Sequence, residues 1–320
     1  MLHRLTAAWR LRRVLLIGGT DAQNQYTQAL LESLGARPAR IPPDARAHTL
    51  NRALCAGRIG AVIIPSAHAL CAESLHKQLS ALHLILSEIR EAGVPLTILC
   101  SHEDVYAPQG ASWQAEETAP LGGRTQEGLF QSILQLYADG FSRGLLSDPV
   151  PTIIVRHAPC LGGGHESVAQ YNAWCRALLC GESPIIEHPA AQGMFLHPLD
   201  AALGTLCLGA GALEGESGFT GFFNVAPGPH NLCANSTAFA LLSAEENGSR
   251  AAASSRPPRL PSVTPLSGEK IRRLCGFSPV LDAGQALAFL MEHARALAIS
   301  EAAAEIKRKE QAEFVLTKLG

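Results

Sequence analysis

The sequence has no stretch approaching the roughly 20 consecutive apolar residues that a membrane-spanning helix needs, so no helical span is expected. Excess charge is also missing. Its 26 Lys and Arg stand against 28 Asp and Glu, a net −2, too small to steer the chain toward nucleic acid or an anionic membrane surface. Nine cysteines include no C-x-x-C pair. Scattered through apolar runs such as Leu99-Cys100 and Leu206-Cys207-Leu208, they read as reduced core thiols and imply a cytoplasmic chain. Twelve histidines include no H-x-x-x-H face with a carboxylate partner. His76 and His83 are seven apart, and His157 and His165 flank a loop, so no metal is expected. The hydrolase elbow G-x-S-x-G and any internal repeat are likewise absent. The opening segment has the basic front of a signal peptide, but its apolar run from Val14 to Ile17 ends in Gly-Gly after four residues and reads as the first strand.

What remains is an alternation of two patterns. VLLIGG at 14–19, AVIIP at 61–65, PLTILC at 95–100 and PTIIVRH at 151–157 are continuous apolar runs. Amphipathic helical stretches over about 23–34, 72–91 and 126–146 lie between them. Strands buried on both faces and separated by helices predict a doubly wound parallel α/β sheet of Rossmann type. After residue 160 the elements shorten and mix, with helices near 168–180 and 199–212 and strand-like SPIIEH and FTGFFNV. The expected division is a dinucleotide-type domain over 1–160 and a smaller substrate lobe with C-terminal helices over 161–320. The Ser/Pro/Arg-rich stretch 247–265 reads as a flexible surface loop, and the tail from Glu301 as an exposed charged helix.

A strand, a glycine-rich turn and a helix suit a dinucleotide, because glycine admits the pyrophosphate and the helix N-terminus offers it free N–H donors. Against the pattern G-x-x-G-x-x-G, Gly18 matches the first glycine, with Gly19 beside it. Asp21 and Asn24 occupy the second and third positions. A carboxylate there opposes a phosphate; the competing reading is a tight strand-to-helix turn with Asp21 favoured by the helix dipole.

Arg156, Leu161-Gly162-Gly163-Gly164, RALLCGESPIIEHP from Arg176, HPLDAALGTLCLGAGAL from His197 and FFNVAPG from Phe222 follow one another in order. CSHEDVYAP from Cys100 and TAPLGG from Thr118 precede them, and SGEKIRRLCGFSPVLDAGQAL from Ser267 closes the series. Taken together this resembles the extended short-chain dehydrogenase/reductases of the NAD-dependent epimerase/dehydratase family, most of all the CDP-glucose 4,6-dehydratase branch. The resemblance implies NAD or NADP as cofactor, with Ser66 and Ala67 in the small-residue loop over it, and a nucleotide sugar as substrate. It also implies a dimer, or a heteromer with a related subunit, through the helices near 72–91 and 126–146.

The family's hydride chemistry uses a Y-x-x-x-K pair on one helix face, the ammonium lowering the phenol pKa and holding the nicotinamide ribose. Counted from Pro120-Leu121-Gly122-Gly123, those positions hold Glu127 and Gln131. Tyr137 does not restore the pair, since Phe141 follows four residues later. The third position, a Ser or Thr, falls on His102, or on Ser101 if the offset is one. His102-Glu103-Asp104 reads either as an acid/base cluster or as a solvated polar turn, the second being the simpler. Where the dehydratase branch has glycine-asparagine-valine, the chain has Ala158-Pro159-Cys160, and the phosphate-binding arginine falls on Gly193. Arg156, Gly162, Gly163, Gly164, His197 and Asp200 persist as candidate substrate contacts, or equally as structural anchors. The expectation is a catalytically impaired relative, a pseudoenzyme, binding a nucleotide or nucleotide sugar or serving as a partner subunit. The rivals are an active dehydratase or epimerase with Glu127 or His102 as base, and a purely structural dimeric protein.

Overall fold

The computed structural model describes residues 1–18, 21–42, 45, 47–64, 75–107, 114–123, 125–162, 166–186, 189–190, 192–244, 252–253 and 265–320. Gly19, Ser66, Ala67, Gly163 and Gly164 lie outside the described residues, as do His165 and all of 247–265 except 252–253 and Pro265.

Six parallel strands form the central sheet: β1 (Arg13–Ile17), β2 (Arg37–Ile41), β3 (Ile59–Ile64), β4 (Thr97–His102), β5 (Thr152–His157) and, later in the chain, β8 (Gly221–Val225). Their spatial order is β2-β1-β3-β4-β5-β8. Every residue of β5 is buried, as the continuous apolar run requires of a strand covered on both faces. The order reverses at β1, between β2 and β3, which makes the carboxyl ends of β1 and β3 the switch point where doubly wound sheets open a crevice. Among the described residues the sheet ends at β2, so it is one strand shorter on that side than the 3-2-1-4-5-6 order. The sequence RPARI explains why β2 is an edge. Pro38 lacks an N–H, and Arg37 and Arg40 discourage pairing with another chain.

One face of the sheet is covered by α3 (Ala47–Cys55), α4 (Leu75–Glu91) and α5 (Gln126–Ser142). On the other face lie α1 (Leu2–Trp9), α2 (Ala22–Ser33) and α7 (Pro198–Leu213). Helix α7 is buried over all but its last two residues, which is why it is apolar all round rather than amphipathic. Trp9 reaches it from α1 and donates Nε1–H to the Leu206 carbonyl at 3.1 Å. Gly209 admits the indole; a Cβ there would lie 2.6 Å from Trp9 Cζ2 and 3.0 Å from Ile98 Cδ1.

The later segments add α6 (Glu166–Leu179), α8 (Asn235–Ala244), α9 (Glu269–Cys275), α10 (Ala283–Ile299) and α11 (Glu301–Thr317). Two small pairings join them: β6 (Ile185–Ile186) with β10 (Ala252–Ala253), and β7 (Gln192–Met194) with β9 (Leu232–Ala234). The core on this face includes residues from Leu5 to Leu316 and so runs across position 160.

Four expectations need correction. The opening segment is not only a strand: residues 2–9 form α1, whose Leu5, Ala8 and Trp9 are buried. The tail is not a wholly exposed helix, because Ala304, Arg308, Gln311, Ala312, Val315 and Leu316 are buried, and Gln311 accepts the Tyr26 hydroxyl of α2 at 2.6 Å. Not all the thiols are core groups, since Cys55 and Cys180 are exposed. The stretch around His102 is not solvated but buried beside α5.

Gly209→Ala is expected to destabilise the chain by about 1–2 kcal/mol, because a methyl group overpacks the Trp9 contact. The midpoint and slope of denaturant unfolding measure it; an unchanged midpoint would mean that Trp9 does not close on α7 as described.

Candidate functional site

The carboxyl edge of the sheet is organised around Arg156, the fifth residue of β5, only 1% exposed. It lies level with Ser101 on β4 and Asn224 on β8. Its Nε donates to Gln135 Oε1 at 2.7 Å, and its Nη1 to the Tyr106 hydroxyl at 2.7 Å and the Glu117 carbonyl at 3.1 Å. The guanidinium lies over the rings of Phe222 and Tyr106, at 4.3 and 4.8 Å from their centroids, where their π faces attract it. The Tyr106 hydroxyl donates to Asn224 Oδ1 at 2.7 Å, and Asn224 Nδ2 donates to the Ala115 carbonyl at 2.8 Å. The Asn224 backbone N–H donates to a carboxylate oxygen of Glu117 at 2.9 Å. Gln135 closes the network by donating to Ser101 Oγ at 2.6 Å. Burial pushes the Tyr106 phenol up, while the neighbouring guanidinium pulls it down.

Helix α5 follows directly. Thr125 caps it, accepting from Gly128 N at 2.9 Å. Gly128 is needed because a Cβ would run into the Asp104 carbonyl. Glu127 is exposed in the first turn, where the dipole favours a carboxylate. Gln131, one turn on, is buried, and its Oε1 has no donor among the described residues. None of the four tyrosines is followed by Lys at the fourth position, so no Y-x-x-x-K pair exists anywhere in the chain. Beside α5, His102 ends β4 and a 3-10 turn follows over Glu103–Val105. Glu103 is fully buried, and the His102 and Asp104 side chains are 14% and 13% exposed. This polar turn belongs to the interior, packed against α5 through Gly128.

The start of α2 is capped by side chains of the chain itself. Asp21 caps α2, accepting from the Asn24 backbone N–H at 3.0 Å and from Asn24 Nδ2 at 2.6 Å. Asn24 is buried against Gly18, where a Cβ would lie 2.5 Å from its Nδ2. One residue after Ala22, Gln23 Nε2 meets His157 Nδ1 at 3.0 Å. His157 Nε2 meets Thr205 Oγ1 at 2.9 Å, and Thr205 spends its own proton on the Ala201 carbonyl. Thr205 therefore accepts, His157 carries its proton on Nε2, and Gln23 donates to Nδ1. Burial holds the His157 pKa down at about 4.

The candidate substrate side is likewise turned inward. His197 caps α7 through Nδ1, which accepts from Leu199 N at 3.1 Å, and packs edge-on against Tyr26 at 5.1 Å. Its pKa is pushed down to about 3 by burial. Asp200 accepts the backbone N–H groups of Val280 and Leu281 at 2.8 and 3.2 Å, yet burial raises its carboxyl to about 7. Those two residues line a cleft of about 630 Å³ beside Ala226-Pro227-Gly228. Gly193, in β7, leaves no room for a longer side chain, since a Cβ would overlap the Tyr171 hydroxyl, which donates to Asn235 Oδ1 at 3.1 Å. Gly162 adopts φ +76, a left-handed turn that glycine takes without strain. The structure thus brings Ser101 and Arg156 into one network and sets Glu127, Gln131 and His102 along the adjoining α5 edge. The Arg156 partners Tyr106, Gln135 and Asn224, and the Gln23–His157–Thr205 chain, escaped the sequence reading. A buried Arg inside an apolar strand was the one signal pointing to them.

His157 gives this edge a pH signature. Its folded pKa lies below the ordinary 6.5, so between about 6.5 and 4 the unfolded chain binds a proton that the folded one does not. The stability it contributes is present above pH 6.5 and is lost as the pH falls. Over that window the wild type should lose about 1.4 kcal/mol per pH unit more than His157→Gln, in denaturant titrations at each pH. Comparing the two slopes cancels the same-direction effect of His197 and the opposing one of Asp200. Parallel curves would exclude a neutral, buried His157.

No protein-family model matches the chain, and no curated protein does. Solved structures do. The UDP-glucose 4-epimerase of Thermus thermophilus, in complex with NAD, is 15% identical with a TM-score of 0.69 over 88% of this chain and 99% of that one. The dTDP-glucose 4,6-dehydratase of Streptomyces venezuelae, with NAD and TYD bound, is 18% identical with a TM-score of 0.65 over 91% and 99%. The UDP-N-acetylglucosamine 4-epimerase of Bacillus cereus is 17% identical with a TM-score of 0.70 over 88% and 95%. The chain therefore has the Rossmann-type fold of the NAD-dependent sugar-nucleotide epimerases and dehydratases.

Proposed function

We propose that the chain is a divergent relative of these sugar-nucleotide enzymes that no longer transfers hydride and serves as a nucleotide- or nucleotide-sugar-binding or partner subunit. The observation that carries this reading is the Asp21 cap. Its carboxylate already takes N–H donors at the start of α2, where a dinucleotide would place its diphosphate. A second anion brought there meets the like charge of Asp21. Asn24 fills the space over Gly18 that a third glycine would leave open. The described residues at this turn do not fit a dinucleotide diphosphate.

The groups on α5 point the same way. Glu127 is an exposed carboxylate and Gln131 a neutral amide, so this helix face offers neither a phenol nor an ammonium to share a proton with a sugar hydroxyl. The binding half of the proposal draws on Gln131 as well. Its buried Oε1 lacks a donor among the described residues, and a ligand hydroxyl would supply one. Gly193 pressed against Tyr171 leaves no space for an arginine that would clamp nucleotide phosphates, which favours weak ligand binding or a partner role.

Purified chain incubated with NAD and each of CDP-, UDP- and dTDP-glucose is expected to produce neither nicotinamide reduction nor altered sugar. Turnover that Glu127→Gln abolishes would refute the proposal in favour of an enzyme with substituted catalytic residues.

A further inference from the structure

Opposite the carboxyl edge, a cleft of about 840 Å³ opens under the amino ends of β1, β2 and β3. Five arginines line it: Arg10, Arg12, Arg13, Arg37 and Arg58. Arg12 is half-buried and the other four are exposed. Among the described residues none of the five is in an ion pair, and no carboxylate lines the cleft. The concentration of charge is unusual for this chain. Setting these five aside leaves 21 Lys and Arg against 28 Asp and Glu, so a net-acidic protein gathers these guanidinium groups in one hollow.

The hollow is built rather than incidental. Arg12 Nε donates to the Ala8 carbonyl at 2.9 Å, and Arg13 Nη1 to the Ala56 carbonyl at 2.9 Å. Both side chains lie beside glycines: a Cβ on Gly60 would overlap the Arg12 stem, and one on Gly57 the end of the Arg13 side chain. Register pairs Arg13 with Arg37 at the start of adjacent strands. Between Arg10 and Arg12, Leu11 holds φ +61, the one left-handed non-glycine residue among those described, and is 64% exposed. Backbone strain of this kind gathers at ligand sites, where the conformation is kept for what it presents. Here it turns the chain sharply from α1 into β1 and leaves consecutive arginines around one opening.

We propose that this cleft is a binding site for a small oligophosphate anion. All five cations are guanidinium groups, whose planar fork of donors matches phosphate oxygens and whose weak hydration lowers the cost of pairing. Four or five positive charges within one cleft call for an anion of matching charge density, which linked phosphoryl groups carry in a few ångströms and a peptide's separate carboxylates do not. The size is that of a small-molecule site. Among the described residues no aromatic side chain lines the cleft to stack a base, which disfavours single-stranded nucleic acid, and a concave surface does not meet a flat membrane. The site lies across the sheet from the edge discussed above and stands whether or not the reading of that edge does.

Isothermal titration of the purified chain with inorganic tripolyphosphate, at about 0.15 M salt where exposed charges are screened beyond roughly 8 Å, tests this. One saturable equivalent is expected. Arg37→Gln/Arg58→Gln should weaken binding at least tenfold, because both side chains are exposed and neither bonds to another described residue, so the fold is not at stake; Arg10→Gln alone should weaken it less. Arg143→Gln, exposed at the end of α5, where it pairs with Asp139 and does not line the cleft, should leave it unchanged. Circular dichroism confirms that each variant is folded. The proposal is overturned by absence of saturable binding, by equal affinity in the double variant, or by tighter binding of a Glu-rich peptide or a single-stranded oligonucleotide under the same conditions.

Discussion

A guanidinium buried near the carboxyl end of an apolar strand is the constraint around which this edge of the sheet is arranged. Among the described residues no carboxylate touches the Arg156 guanidinium, and its charge is met by neutral acceptors and aromatic faces. Meeting it fixes the ends of β4 and β8, one face of α5 and the segment around Ala115–Glu117 in one hydrogen-bonded unit. Each partner is itself satisfied through the next, from Gln135 to Ser101 and from Tyr106 to Asn224. A network of this kind rigidifies its surroundings, since a half-satisfied version of it would be worse than an apolar core.

The same economy recurs at the start of α2. A helix N-terminus must find acceptors for its first N–H groups, and a bound diphosphate would be one source of them. Here Asp21 supplies the acceptor from within the chain, and Asn24 packs the space beside it. On the lobe side, Tyr171 occupies the room next to Gly193, and His197 and Asp200 serve α7 and the Val280-Leu281 turn. Under the proposed function, internal contacts take the place of ligand contacts at each of these points. On that reading these substitutions belong together: each trades recognition of a phosphate or a sugar hydroxyl for a self-contained structural contact.

How much of this was legible in the sequence depended on the range of the interaction. The runs VLLI, AVII, TILC and TIIV announce buried parallel strands because burial on both faces leaves a local trace, and all four lie in the sheet. Edge strand β2 left none, since RPARI is half exposed and carries charge and proline. Helix α1 was hidden by the basic residues around it, and the tail helix by a charged face that conceals Val315 and Leu316 on the other side. At the site, Asp21, Asn24, Glu127 and Gln131 stood out as departures at counted positions. Their partners did not, because Gln135, Tyr106 and Asn224 meet Arg156 only after β4, β5 and β8 are laid side by side. The arginine cleft was invisible for a similar reason: a net charge of −2 averages away a cluster assembled from residues 10–13, 37 and 58.

If Asp21 stands in for the diphosphate of a dinucleotide at the start of α2, removing its carboxylate should reopen that place. The most direct test is an equilibrium titration of NADH fluorescence against the wild type and Asp21→Gly. Glycine is nearly as good a helix cap, at a cost of only a few tenths of a kcal/mol, so the comparison reads ligand affinity in two folded proteins. Weak or undetectable binding to the wild type is predicted, with at least tenfold tighter binding once the carboxylate is gone. Tight binding to the wild type, or no gain in the variant, would contradict it.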